Sequence, residues 1–548
     1  MPLDYFIRSR SSLPRRRYRR TLTGLTAASL CAFIWWWFRP ALLNYESYLY
    51  AGGIEGFMDI SALYNVFLPE IRMPDFGRFH PNHPLPHLLA YWLFSVCNRA
   101  GVEFSALDIL IAVNYIASAV AVFVIFRIAV TLTADLLISF FFALLAGFSP
   151  VFWFSAVSAE TYEVAYCLMA IAFLQMLRPY ASERIMTTIR KALLFSLAFS
   201  FHFGVALFAI PVALWYALAA ARQRSIRPIL SLALFGAVSC FVFIAVYMIL
   251  FMQTFGITDL GEWWKIFSMQ SRIPMGGQYA PDHSGIWHAA ETLFASLANG
   301  MLAGNGTFQR IARIHLLIAM LVGAMYVLRL GTRHAFATAQ AAWIILPVGF
   351  LLLVMRSPTN ITYSLMLMLP AFLSVLLLVK RTATATVARS IVMGWALLTA
   401  GSTWGAVILP KAGLPEETVY FAARISVNDM RLTPMLALVH NYYGIYPDLY
   451  YLGNRHKVRA EKVFFHYDES FPGRLLAEIR KHKKVQLLTD RLLAREEAWL
   501  RSEGVRIEQV FHHAELHAPE LYWFSIRPRF SVDAGYTREL SLYRMYVD

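Results

Sequence analysis

Charge is what this sequence has least of. Asp, Glu, Lys and Arg make up 15% of its 548 residues, while 58% are hydrophobic. A soluble globular chain carries about 25% charged residues, so neither an ordinary cytosolic protein nor a disordered one fits. Cysteine is nearly absent too. Cys31, Cys97, Cys167 and Cys240 all lie in apolar stretches. They form no CxxC pair and no Cys/His ligand spacing, which argues against a structural zinc site or a disulfide framework. No Gly-rich phosphate loop follows a strand pattern in the C-terminal region, which argues against a nucleotide-sugar site there. Acidic residues inside the apolar runs are scarce, whereas a pump or channel keeps its polar residues in mid-membrane.

What is present divides the chain. Residues 411–548 hold 38 charged residues in 138, against 45 in the first 410. The division predicts an apolar membrane body over 21–410 and a small soluble domain over 411–548. Seven arginines crowd the first twenty residues: Arg8, Arg10, Arg15, Arg16, Arg17, Arg19 and Arg20. The apolar run after them ends in Trp35-Trp36-Trp37 rather than a small-residue cleavage site, so it reads as an uncleaved first span. A basic arm over 1–20 abutting a span puts the N-terminus in the cytoplasm and reads as a topology signal rather than a nucleic-acid tail.

Further candidate spans run near 105–127, 133–152, 160–177, 192–203, 204–221, 228–252, 312–329, 339–355, 360–379 and 388–409. Basic turns at 178–191, 222–227, 329–333 and 380–389 then fall on one side, as the positive-inside rule requires. The predicted fold is an all-α polytopic membrane protein of about eleven transmembrane helices, with a small C-terminal α/β domain on the outer face. Pro84–Val96 is expected as a helix lying in the interface. The large outer loops are 39–104 and 253–311, and the polar chemistry gathers at the outer ends of the spans. That distribution favours a site at the outer membrane face over a pathway through the membrane.

The first loop begins with Tyr45-Glu46-Ser47-Tyr48. Glu46 is the first acidic residue past the membrane. A carboxylate in an interfacial pocket suits general-base work, although a solvated loop charge has the same signature. Asp59, Glu70 and Asp75 compete for the role. Arg78-Phe79-His80-Pro81-Asn82-His83-Pro84 follows, a stiff polar entry whose histidines suit phosphate contacts or acid–base steps. Its prolines prevent a regular helical ligand face, so no metal site is expected. Ser149-Pro150 to Glu163 sits at the outer end of the third span. Glu160 and Glu163 share a helix face there, either as simple helix-end acids or as a second acidic element beside the first loop.

Together these residues resemble the GT-C superfamily of multispan glycosyltransferases that use polyprenyl-phosphate sugars. The relevant relatives are the lipid A aminoarabinose transferases and the protein O-mannosyltransferases. The likeness rests on an acid after the first span (Glu46) and a His/Pro entry (His80 to Pro84). It rests also on a Ser-Pro-x-x-Trp…Glu-x-Tyr-like element (Ser149 to Glu163), a helix with a polar His near its outer end (His202), and an outside C-terminal α/β domain. Two departures stand out: the first-loop acid is Glu rather than Asp, and no Asp-x-Asp or Glu-x-Asp pair for a divalent ion is visible.

The resemblance implies transfer from a polyprenyl-phosphate sugar to an envelope glycan, lipid or protein hydroxyl, with inversion and without a metal or other cofactor. Glu46, Asp59 and Glu160 are the candidate catalytic residues. Tyr45, Arg78, His80, His83, Glu163, His202, Lys265, Arg272 and Arg356 are the candidate substrate contacts. The guanidinium groups match phosphate geometry, although an acidic partner or a lipid headgroup would also account for them. Partners are then the lipid-linked donor, the acceptor and the bilayer, with no nucleic acid, and the setting a bacterial inner membrane. A non-catalytic transporter or flippase, or an envelope-assembly subunit, is the alternative.

In the C-terminal domain, 484–490 and 505–510 read as strands around a helix over 491–503 ended by Gly504, and 521–526 as a further strand. His512, His513 and His517 are a surface cluster or ligand contacts.

Overall fold

The computed structural model describes residues 14–38, 45–55, 84–159, 162–177, 184–202, 205, 208–255, 259, 261, 302, isolated positions between 311 and 326, 365–404, 435–439, 463–466, 471–489, 494–517 and 537–547. Twelve helices precede the sheet among these residues: α1 (Pro14–Trp37), α2 (Tyr45–Ile54), α3 (Pro84–Arg99), α4 (Ala106–Thr133), α5 (Leu136–Gly147), α6 (Pro150–Val157), α7 (Tyr162–Met176), α8 (Ile185–Phe201), α9 (Ala209–Gln223), α10 (Arg227–Phe255), α11 (Leu365–Thr382) and α12 (Ala385–Thr403).

The body is organised around α4, a 28-residue helix and so about 42 Å long. It packs against α1, α2, α3, α5, α6, α7 and α11. Its start is fixed by a capping box in which Ser105 and Asp108 satisfy each other's backbone amides. It stops at Ala134, which takes a left-handed conformation. Asp135 then caps α5, accepting from the Leu137 and Ile138 amides.

By length and apolarity, α4 and Arg227–Leu250 of α10 qualify as membrane spans among the described residues. The α5–α6 pair makes a third if its two bent helices count as one. The expected eleven is therefore not reached within these residues. The span predicted near 339–355 lies wholly outside them, and half of the positions of that near 312–329 do.

The run at 133–152 is not one straight helix. It breaks at Phe148-Ser149 and turns by 64° into α6. Pro150 explains the break, because its ring cannot continue the preceding helix yet suits the first position of a new one. All eight residues of α6 are buried, so this stretch is a packed helix. α8 starts at Ile185, well before the predicted 192, and takes in Lys191, which the charge pattern assigned to a basic turn. The Lys191 ammonium is buried 4.1 Å from the Trp215 ring centroid and 5.6 Å from that of Tyr216. Aromatic faces offset the desolvation of that charge.

Close approach sets the fit of α1. A Cβ on Gly147 would lie 2.7 Å from Cys31 Sγ, so only glycine lets the two helices meet there. The Trp35 indole N–H donates to the Gly147 carbonyl at 3.0 Å. Segment 84–96 is helical as expected, with Pro86, His87, Leu88 and Ala90 buried and Trp92, Leu93 and Val96 exposed.

The C-terminal region adds β1 (Met435–Val439), β2 (Val463–His466), α13 (Phe471–His482), β3 (Lys484–Thr489), α14 (Ala494–Ser502), β4 (Arg506–His517) and β5 (Thr537–Tyr546). The sheet order is β2-β1-β3-β5-β4. β1 is parallel to β2 and β3, and β5 is antiparallel to β3 and β4. Leu475, Ile479, Val485, Leu487, Leu500 and Met545 form its core. The strand at 484–489 and the helix before Gly504 fall where the alternation and the stop residue predict them, and Gly504 has φ +83°. The strand expected at 521–526 lies outside the described residues. His512, His513 and His517 lie on β4, opposite Ser541, Leu540 and Thr537 of β5.

Candidate functional site

The site is built where α2, the start of α4, the α6–α7 junction and the end of α8 meet. α2 is short, and Ser47, Tyr50, Ala51 and Ile54 of it are all buried. Tyr50, Ala51 and Ile54 pack with Ala90 of α3, Ala106, Leu107, Ile109 and Leu110 of α4, and Ala159 after α6.

Polar bonds hold α2 at both ends. The Ser47 hydroxyl accepts the Ala159 amide at 3.0 Å. Glu55, the residue after α2, accepts the Ala106 amide at 2.7 Å. A carboxylate there satisfies one of the orphan amides of the α4 N-terminus and complements its dipole. From α4, the Asn114 side-chain amide donates to the Ser158 carbonyl at 2.9 Å. The Ser158–Ala159 peptide after α6 is thus tied to α2 through its N–H and to α4 through its C=O.

Glu46 is the second residue of α2, directly before Ser47, and Tyr45 is the first. Glu160 lies outside the described residues but follows Ala159 in the chain. The fold therefore joins the first-loop and third-span motifs, which the sequence separates by more than a hundred residues.

Glu163 opens the first turn of α7 and is buried. Among the described residues, neither carboxylate oxygen reaches hydrogen-bonding geometry with a partner, and neither does the nearby Ser155 hydroxyl. The Trp153 indole N–H of α6 is likewise buried and unmatched among the described residues. Such groups are rare in a native interior, because each forgoes the hydration it had when unfolded. His202 caps α8 and is buried, its ring centroid 4.1 Å from that of Tyr162, the neighbour of Glu163. His87 of α3 lies against Tyr50 of α2, ring centroids 4.5 Å apart.

Of the predicted site residues, Tyr45 and Glu46 therefore share a helix tied to the segment leading into α7. Glu163 lies in the first turn of α7, and His202 packs against its neighbour Tyr162. Asp59, Arg78, His80, His83, Glu160, Lys265, Arg272 and Arg356 lie outside the described residues. No three His, Cys, Asp or Glu side chains gather as a metal site among the described residues. Ser47, Glu55, Asn114 and Ser155 are the polar groups that motif reading passed over. A polar residue inside a long apolar helix is a signal in its own right, and Asn114 in α4 carries it.

No protein-family profile matches the chain, and no curated protein does. Solved structures do. The crystal structure of ArnT from Cupriavidus metallidurans in the apo state aligns over 95% of this chain and 97% of its own, with 10% identity and a TM-score of 0.53. The structure of that protein bound to undecaprenyl phosphate aligns over 94% and 97%, with 9% identity and a TM-score of 0.48. The chain thus shares its fold with the apo ArnT structure. The likeness runs over nearly the whole length of both chains.

Proposed function

We propose that the protein is a GT-C-type membrane glycosyltransferase that moves a sugar from a polyprenyl-phosphate donor to a hydroxyl of an envelope glycan, lipid or protein. The fold match over nearly the whole chain supports the class. The observation that carries the site is the hydrogen bond between the Ala159 amide and the Ser47 hydroxyl. It joins the helix bearing Glu46 to the segment that leads into Glu160 and Glu163.

In this reading the Glu46 carboxylate takes the proton of the acceptor hydroxyl. The oxygen attacks the anomeric carbon, the bond from that carbon to the phosphate oxygen breaks, and prenyl phosphate leaves. A single displacement inverts the anomeric centre. Arg78, Lys265, Arg272 and Arg356 are the cations available to neutralise the leaving phosphate. The absence of an Asp-x-Asp pair from the sequence favours these cations over a divalent ion, so EDTA leaves the rate unchanged. The soluble domain then lies on the outer face of a bacterial inner membrane and the arginine arm in the cytoplasm, which assigns 21–410 to the membrane and 411–548 to the periplasm.

The test is transfer in nanodiscs from a panel of radiolabelled polyprenyl-phosphate sugars into a glycolipid extract, comparing wild type with Glu46→Gln. Removing a general base costs roughly 10²–10⁴-fold in rate. A Glu46→Gln enzyme within a few-fold of wild type would move the base to Asp59 or Glu160. Tight donor binding without transfer by either protein would favour a carrier.

A further inference from the structure

We infer that Ser47 and Asn114 are positioning residues that set the distance between the two acidic elements, and that turnover depends on this clamp. The inference rests on the transferase reading above.

The clamp consists of two buried bonds on consecutive residues of one segment. Asn114 holds the Ser158 carbonyl at 2.9 Å and Ser47 holds the Ala159 amide at 3.0 Å. Both side chains are at least nine-tenths buried. Their anchors differ in origin. Ser47 moves with α2, which carries Glu46, whereas Asn114 is two turns into α4, the 28-residue helix at the centre of the body. The segment they hold is the last stretch of backbone before Glu160 and Glu163. α2 is itself referred to α4 by the Glu55 bond to the Ala106 amide. α2, α4 and the α6–α7 junction are therefore closed into a loop of three side-chain-to-backbone bonds.

This arrangement exceeds what packing requires. Ala159 already sits in an apolar cluster with Tyr50, Ala51 and Leu110, which would seat the segment without fixing its rotation or register. Hydrogen bonds to the carbonyl and the amide of one planar peptide, the Ser158–Ala159 unit, hold it from both sides and fix both. A reacting geometry tolerates little error, since a misplacement of about 1 Å can cost about 10²-fold. Ser47 and Asn114 thus act on the reaction through Glu46 and Glu160, without touching substrate themselves.

The test compares Ser47→Ala, Ser47→Thr and Asn114→Leu with wild type in nanodiscs, using the same polyprenyl-phosphate sugar panel. Three readouts are taken: kcat and KM for the donor, thermal midpoint, and hydrogen exchange of the peptide containing Ala159. Ser47→Ala frees the Ala159 amide, so its exchange accelerates. In both Ser47→Ala and Asn114→Leu, kcat falls by about 10²-fold while KM stays within about twofold, as expected when only the transition-state geometry is lost. Ser47→Thr keeps the hydroxyl and restores both slow exchange and kcat. Unchanged kcat beside accelerated exchange overturns the clamp and leaves the transferase reading standing. A loss of activity that follows the thermal midpoint and is not restored by Ser47→Thr also overturns it, in favour of a purely structural bond. No transfer by wild type from any donor sinks the transferase reading and the clamp with it.

Discussion

The two ends of α4 are built from the same kinds of side chain and treat them differently. At the C-terminal end the polar groups answer one another. The Thr133 hydroxyl lies 3.2 Å from that of Ser139, which donates to the Asp135 carbonyl at 2.6 Å. The Asp135 carboxylate accepts from two backbone amides of α5 and from Arg389 of α12. Near the N-terminal end, Glu163, Ser155 and Trp153 are buried with polar atoms that find no partner among the described residues. Leaving a buried donor or acceptor unmatched costs about 1–3 kcal/mol. A fold keeps such a cost where function needs the group. One end of the bundle is thus matched for stability, and the other holds unsatisfied groups beside the helix that carries Glu46.

The comparison breaks most visibly at Glu163. Replacing this buried carboxyl side chain by an apolar one of similar volume removes a desolvated polar group. Glu163→Leu is therefore expected to hold or raise the thermal midpoint. If the carboxylate binds substrate, the same change loses a hydrogen bond to a charged group of about 1.5–3 kcal/mol, or roughly 10–100-fold in kcat/KM. Stability and activity then move in opposite directions. A variant that loses both together would place Glu163 among the structural groups and erase the contrast.

Trp35 sharpens the contrast from the other side. Its N–H to the Gly147 carbonyl is a matched buried bond close to the unmatched groups. Trp35→Phe leaves the carbonyl unpaired and opens a small void, for an expected cost of about 1–3 kcal/mol. Denaturation in mild detergent reads this cost, and transfer per folded molecule stays near wild type.

Legibility in the sequence followed the physics of each element. α4 and α10 were plain, because hydropathy over a long apolar run needs no tertiary information: 105–127 against Ala106–Thr133, and 228–252 against Arg227–Phe255. The break at Ser149 was hidden, since an apolar run stays apolar through a 64° bend. The early start of α8 was hidden because Arg190 and Lys191 read as a turn, while aromatic rings from α9 cover the lysine. In the site, Glu46 and Glu163 were visible as acids beside apolar runs. Ser47 was not, because its partner is a backbone group 112 residues away; Asn114 stood out as a polar residue in an apolar run, but no local pattern encodes its partner 44 residues away.

The smallest effects belong to the matched end, and pH separates them. Asp135 lies in the two-residue turn between α4 and α5. Burial pushes its carboxyl up, but the Ile138 amide, the Arg389 guanidinium and the Leu137 amide outweigh this and hold it below the ordinary carboxylate range. Its pKa is thus lower folded than unfolded. The stabilisation is complete above the unfolded value of about 4 and is lost as pH falls through the folded one. Asp135→Ala removes a helix cap worth about 0.5–2 kcal/mol, and the loss shows at pH 7 but fades in acid. Arg389→Ala removes only the half-exposed pair, worth about 0–1 kcal/mol. Neither variant should change transfer per folded molecule, because the turn lies some 40 Å along α4 from Ala106. If Arg389→Ala lowered kcat without lowering stability, the two ends would be coupled, and the matched end would carry function as well.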